Sequence, residues 1–527
     1  MTEHHASSSS VPRSWVLFAV VATVFVLLCA LAWFFTMDDA YIAWRYSKNI
    51  GDGLGPVWNP DPSSEFRAVE GYSSFLTVWL VGLVYFVTGV APFWLGKGLG
   101  VISGLILIGC VVRETRRRRI GWHGSLVALS FFALPFTIVN SVSGMETGFF
   151  FLWNWLCAMG AVWLAEKPSR AGVWSFVLFG FLATLTRPDF AIIFASLVAY
   201  VFWRARPVRR TLVLAVLALY AVPGLILTGW RYEFYGDLVP NTFYVKQKAG
   251  LQGFAVRYVF RFVLFLVVPY LIASVRRWRT LWASNRDLLI VTGLCLVIPC
   301  AYFTTTVPLM GWWYRFLLPQ LSLVALVAGV GVGTNGQAVG KLLRWAPTLG
   351  VSLVVAGSLA HLPPMIEHLY YREADEARYV ELAERLRPFR SSDRWLNFYD
   401  VGTVPYASEW NTVDVVGLNT HRADLASDCS LKTDLILRSW SSIPAEPRKD
   451  IPNPCQRDLE LYTAIADLPW VDQGAAHYRY MRVFARSDIA YADALSHALL
   501  DDWPAPYQPP SGFAYRYTER FKSWVGR

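Results

Sequence analysis

Two adjacent carboxylates, Asp38 and Asp39, follow directly on an apolar run, "WVLFAVVATVFVLLCALAWFF". Like charges side by side repel, and close to hydrocarbon each is costly to hold. A short helix, "DAYIAWRYSKNI", can begin at this point, and one Asp can cap its N-terminus, where negative charge is favoured. A cap needs only one acid. Successive helical positions point in different directions, so the other carboxylate is free to face a cavity and take a catalytic role. The structural alternative is a capped interfacial helix with Arg45 as a surface partner.

Five cations recur in the later polar segments: Arg187, Arg231, Lys246, Lys248 and Arg315. Taken singly, each reads as a side chain snorkelling to headgroups. Five around a site that also holds acids fit an anion better, such as a phosphate or pyrophosphate. Tyr235, Asn241 and Tyr244 offer neutral groups of the kind that read hydroxyls, and "VEGYSS" adds Glu70 and Tyr72 to a sugar-binding set with Arg45. In "GWWYRF", Trp312, Trp313 and Tyr314 either stack on a sugar face or belong to an aromatic belt. Glu146 in "SGMET" orients a cation or hydroxyl, or caps the helix that starts there. Asp189 pairs with Arg187 or starts the next helix. No Walker loop, GxGxxG, CxxC or HExxH is present, and the eight His are scattered, so no site for a soluble nucleotide, haem or structural zinc is visible. A phosphate-bearing donor then arrives through the lipid. No cofactor is required by these residues; a divalent metal at Asp38/Asp39 stays open, with no third ligand evident.

The elements that must position these groups are membrane helices. The 527 residues are 55% hydrophobic and 16% charged, the composition of a polytopic membrane protein. The net charge of +10 fits cytoplasmic loops and headgroups, and no basic segment has the aromatic spacing of a nucleic-acid-binding module. Twelve apolar segments recur between 15 and 361. If all crossed, the "RETRRRR" cluster at 113–119 would share a side with Asp38 and Asp39, against the positive-inside rule. Reading 73–90 as an interfacial helix on the outer leaflet places five basic loops in the cytoplasm, and about eleven spans remain. In 173–203, split by Pro188, both halves cross or neither does.

The domain reading is a disordered tail at 1–14, a transmembrane domain at 15–361 with external loops 36–91 and 231–256, and a C-terminal extracytoplasmic α/β domain at 362–527. In the last, "WLNFYDVGTVPYA" and "TVDVVGL" read as strands with turns, and "ADEARYVELAERL" as an amphipathic helix. Cys429 and Cys455 there can form a disulfide or remain thiols; the other five Cys lie in apolar segments. The expected location is the plasma (inner) membrane, multi-pass, with the polar motifs on the extracytoplasmic face.

In order and content the chain resembles the integral-membrane glycosyltransferases of the GT-C superfold. "DDAYIAWRYSKNI", "GLGPVWNP", "VEGYSSF", "SGMET", "TRPD", "YGDLVPNTFYVK", "YRF" and "DVGTVPYASEWNTVDVVGL" carry the resemblance over about 36–420. The pattern is similar to polyprenyl-phosphate-dependent enzymes such as the terminal arabinofuranosyltransferases of the mycobacterial wall. The resemblance implies a decaprenyl-phosphoryl-arabinose type of donor and a glycan or glycoconjugate acceptor. It implies Asp38 or Asp39 as the base or the stabiliser of the sugar cation, with Arg187, Lys246 or Arg315 offsetting the charge of the leaving phosphate. Relatives often carry an acid or Gly where this chain has Ala40 or Asp189. A transporter of a polyprenyl-linked sugar would use the same cations and lipid, but would need neither the acid pair nor a large external domain. A non-catalytic scaffold leaves the conjunction of acids and cations unexplained.

Overall fold

The computed structural model describes residues 10–60, 66–246, 253–275, 277–306, 311–333, 346–426, 433–440, 461–470 and 480–505. Lys248, Cys429 and Cys455 lie outside them, as does the side chain of Lys246.

Helix α1 (Ser10–Leu31) carries the first apolar run, and α2 (Asp38–Gly51) begins at the acid pair. Then α3 (Phe75–Thr88) packs on α2, with Ser47 Oγ donating to the Val78 carbonyl at 2.9 Å and Tyr85 Oη to Asp52 at 2.8 Å. Its 14 residues span about 21 Å, short of a ~30 Å hydrocarbon core. Thr77, Val78 and Val81 face inward while Leu83, Phe86 and Val87 are exposed.

The bundle continues with α4 (Pro92–Arg117), the bent pair α5 (Trp122–Leu129) and α6 (Pro135–Val142), α7 (Thr147–Glu166), α8 (Arg170–Thr186), α9 (Phe190–Arg204), α10 (Arg209–Val216) and α11 (Val222–Tyr235). After the short α12 (Asn241–Lys246) come α13 (Gly253–Phe262), α14 (Val268–Val275), α15 (Trp278–Ser284), α16 (Arg286–Thr305) and α17 (Leu318–Gly333). Five helices are long and apolar enough to cross a membrane by length and composition, and the bent pair makes a sixth. Among the described residues, shorter apolar helices of 10–17 residues lie at the other apolar segments. The 173–203 stretch is two helices broken at Arg187–Pro188–Asp189. At the centre, α7 and α17 are buried on almost every face. Small residues let α5 and α17 close up: a Cβ on Gly124 would lie 2.3 Å from the Gly329 carbonyl oxygen.

Helix α18 (Ala346–Leu386) runs unbroken for 41 residues, through Pro363 and Pro364. Its first part holds the last apolar segment, and its end, with Tyr379, Leu382, Ala383 and Leu386, forms part of a second hydrophobic core. The boundary expected at 361/362 falls inside this helix. The C-terminal domain holds a five-stranded sheet of β1 (Trp395–Phe398), β2 (Asn411–Asp414), β3 (Leu435–Trp440), β4 (Tyr462–Pro469) and β5 (Tyr480–Arg486), ordered β2-β1-β3-β5-β4. Strand β1 is parallel to β2 and β3, with α19 (Thr403–Ser408) between β1 and β2, and the β3-β5-β4 half is antiparallel. The loops after β1 and β2 both meet the membrane half.

Candidate active site

The acid pair is divided by its neighbours. Asp38 faces the C-terminal domain and accepts from Gly402 N (3.1 Å), Thr403 N (3.0 Å) and Thr403 Oγ1 (2.9 Å). A Cβ on Gly402 would sit 2.3 Å from the Asp38 carboxyl carbon, so only glycine admits this approach. Asp38 therefore clasps the loop after β1 rather than capping its own helix. Asp39 is half-buried, and of the two it is the one whose carboxylate is not engaged by a hydrogen bond or ion pair among the described residues.

A turn joins Asp39 to the cations. Met37 N donates to the Ser143 carbonyl at 3.0 Å, and Gly144 lies against Ala40 and Trp44. Three residues on, Glu146 approaches Arg315 Nη2 at 3.9 Å. Arg315 is 4% exposed, yet its Nε and Nη1 have no hydrogen-bond partner. Leaving such donors buried and unmet costs on the order of 1–3 kcal/mol or more, so they are available to an acceptor from outside the chain. Trp313 (φ 55°) and Tyr314 (φ 60°), consecutive left-handed residues with bulky side chains, hold the turn that presents Arg315. Arg187 lies alongside. It forms a two-pronged pair with Asp189 (3.1 and 2.8 Å), donates to the Arg315 carbonyl at 3.4 Å, and stacks on Phe150 and Phe316. Of the alternatives for Asp189, pairing with Arg187 is what the structure shows.

Other expected residues are engaged elsewhere. The Arg45 guanidinium is buried with no carboxylate beside it. It donates to the carbonyls of Trp58, Pro405 and Trp410 and to Asn59, and lies over the Trp58 ring. Burial lowers its pKa to about 9. It binds protein, not solvent, so neither the sugar-binding role nor the surface-partner role fits its position. Arg231 grips Glu70 through both oxygens (2.6 and 3.1 Å); burial nonetheless raises the Glu70 pKa. Asn241 Nδ2 meets the carbonyls of Gly417, Leu418 and Thr420, while its backbone N donates to the Glu70 carbonyl. Tyr235 Oη donates to the Pro56 carbonyl, and Tyr72 is buried edge-on against Tyr46. Tyr314 is enclosed by Phe136, Tyr258 and Phe262. Trp313 lies at the Phe136 ring, and its carbonyl accepts from Asn140. Tyr244 is partly exposed under Arg422. Of these, Arg45, Asn241 and Tyr244 join the membrane half to the C-terminal domain, and the others pack within the membrane half.

Two further groups were not anticipated. Lys97 is fully buried on α4 and donates to the Trp33 carbonyl (2.6 Å) and Thr36 Oγ1 (3.0 Å), fixing the chain just before the acids. A lone Lys inside the apolar run 92–112 was the signal available. Glu376 on α18 accepts from Tyr41 Oη, and burial raises its pKa. In sequence it is one acid among several on an amphipathic helix. Among the described residues no group of three His, Cys, Asp or Glu stands together as a metal site.

No protein-family model matches the sequence, and no curated protein sequence matches it. Solved structures do. ArnT from Cupriavidus metallidurans in the apo state aligns with a TM-score of 0.54 at 12% identity, over 90% of this chain and 98% of that one. The same protein bound to undecaprenyl phosphate aligns with a TM-score of 0.54 at 11% identity, over 88% and 98%. The chain is therefore a polytopic membrane protein of the GT-C fold with a C-terminal sheet-containing domain, as its motifs led one to expect.

Proposed function

We propose that the protein is a glycosyltransferase that moves a sugar from a polyprenyl-phosphate donor to a hydroxyl of a cell-envelope glycan or glycoconjugate. The reaction takes place on the outer face of the plasma (inner) membrane, and the sugar is arabinofuranose, as the motif resemblance implies. One observation carries the reading: the 143–146 turn bonds to Met37, two residues before the unengaged carboxylate of Asp39, and through Glu146 reaches a buried guanidinium, Arg315, with two unmet donors. The likeness of the fold to a structure holding undecaprenyl phosphate supports the class of donor.

In this mechanism Asp39 removes the proton of the acceptor hydroxyl as its oxygen bonds to the anomeric carbon. The bond from that carbon to the phosphate oxygen breaks, and the electron pair leaves with the polyprenyl phosphate. Arg315 meets the departing charge with donors already desolvated, and Arg187 and its Asp189 partner hold the Arg315 backbone in place. Glu146 keeps the guanidinium oriented while leaving Nε and Nη1 open.

The test is transfer in nanodiscs from a panel of polyprenyl-phosphate sugars to envelope acceptors, comparing wild type, Asp39→Asn and Arg315→Gln. The expected result is donor-dependent transfer that Asp39→Asn abolishes with donor binding intact. Full transfer by Asp39→Asn would remove the acid from the mechanism. Binding without transfer from every donor would favour a transporter.

A further inference from the structure

A cavity of about 340 Å³ lies between α4, α7 and α8, at the end of the bundle opposite the site above. The same α7 carries Glu146 at its start and Trp163 and Leu164, which line the cavity, near its end, about 25 Å along the helix. Volumes of this order hold small molecules or parts of larger ones. The walls are apolar, with Trp155, Leu156, Phe176 and Phe179. The mouth is basic, with Arg113 at the end of α4 and Lys167 at the end of α7.

The charge at the mouth is unbalanced for a definite reason. The two nearby acids are already committed. Glu114 accepts from Arg117 (2.9 Å), Arg118 (2.6 Å) and Trp163 Nε1 (3.1 Å), and Glu166 pairs with the same two arginines. Arg113 and Lys167 are exposed and have no hydrogen bond or ion pair among the described residues. Ser169, also at the mouth, caps α8 by accepting from Gly172 N, and its hydroxyl proton remains available. A slot with two unpaired cations and a hydroxyl at its rim and aromatic walls within fits a phosphate attached to a hydrocarbon chain. Charge complementarity excludes a zwitterionic headgroup as the preferred guest.

We infer that this cavity is a binding site for one anionic phospholipid, distinct from the donor site. One acyl chain lies along Phe176 and Phe179, and the phosphate sits between Arg113 and Lys167. The inference does not depend on the proposed reaction. It places the lipid against α7 and α8, whose other ends carry Glu146 and lead into Arg187 and Asp189.

The experiment uses the full chain, delipidated in detergent and titrated with phosphatidylglycerol or phosphatidylcholine. Bound lipid is counted by native mass spectrometry, with a thermal melt in parallel. One phosphatidylglycerol should be retained in preference to phosphatidylcholine, and it should raise the melting temperature. Arg113→Gln/Lys167→Gln should weaken that retention about thirtyfold, the loss expected for two basic residues at a lipid surface. Gly160→Leu, which fills the slot between two walls without touching the rim charges, should abolish it. Arg315→Gln should leave it unchanged, separating this site from the donor site. Equal retention of both lipids, or unaltered phosphatidylglycerol retention in the double variant, would overturn the inference even if Gly160→Leu fails to fold.

Discussion

At the scale of single residues, the separation of Asp38 from Asp39 makes the sharpest prediction. Asp39→Asn should lower turnover by 10²–10⁴-fold, about the contribution of general base catalysis, with an unchanged melting temperature. Asp38→Ala should instead lower the melting temperature, because Gly402 N and Thr403 N lose their shared acceptor. Steady-state kinetics and a thermal melt on both variants distinguish the two roles. The arginines divide the same way. Arg231→Gln leaves Glu70 buried without its partner and should cost about 3–5 kcal/mol of stability. Arg315→Gln removes no hydrogen bond at Nε or Nη1 and gives up only the longer 3.9 Å pair with Glu146, so it should weaken donor binding at least tenfold with a smaller loss of stability than Arg231→Gln, as read by donor titration against a melt. The sequence marked both arginines as phosphate ligands because residue type and membrane side are all it displays. Which carboxylate sits opposite is a property of the packed chain.

At the scale of elements, the clasp between halves rests on loops at the ends of β1 and β2. Gly402→Ala should push α19 off Asp38 and lower both stability and transfer, with the loss of transfer partly restored at reduced temperature. Reading elements from sequence succeeded where a single physical rule dominated. Charge parity singled out 73–90, and α3 forms there as a single apolar helix of 14 residues. Pro188 marked the break between α8 and α9, and the motifs "WLNFYDVGTVPYA" and "TVDVVGL" fall on β1 and β2, with "TVPYA" helical in α19. Reading failed where an apolar setting hid a polar residue, as with Lys97. It also failed where a partner lay hundreds of positions away, as with Arg45 and the carbonyls of Pro405 and Trp410.

At the scale of the whole molecule, acidity acts through buried carboxylates. Asp414 is fully buried and accepts from four backbone N–H groups of residues 416–419 and from Asn419 Nδ2. Burial outweighs these bonds and raises its pKa to about 6, from an ordinary 3.8. Glu70, Glu376 and Asp434 shift in the same direction for the same reason. A raised carboxyl binds protons more tightly folded than unfolded. Stability is therefore fullest below the unfolded pKa and falls as pH rises through the window from about 4 to 6, by up to about 3 kcal/mol for Asp414. Melts from pH 4 to pH 7 should show this decline, and a profile rising over the same range would contradict it. The loop Asp414 organises also holds Asn241, so the decline should loosen the contact between the two halves.

The unbroken run of α18 has a mechanical meaning. A 41-residue helix is a rod about 60 Å long, fixed in lipid at one end and in the core of the outer domain at the other. A thinner bilayer tilts its buried part, and a lever of that length converts a small angle into several ångströms of travel at Leu386. Pro363 and Pro364, which donate no backbone hydrogen bond, give the rod a compliant point where it leaves the apolar segment. On this geometry a change in membrane thickness is expected to load the contact between Thr403 and Asp38.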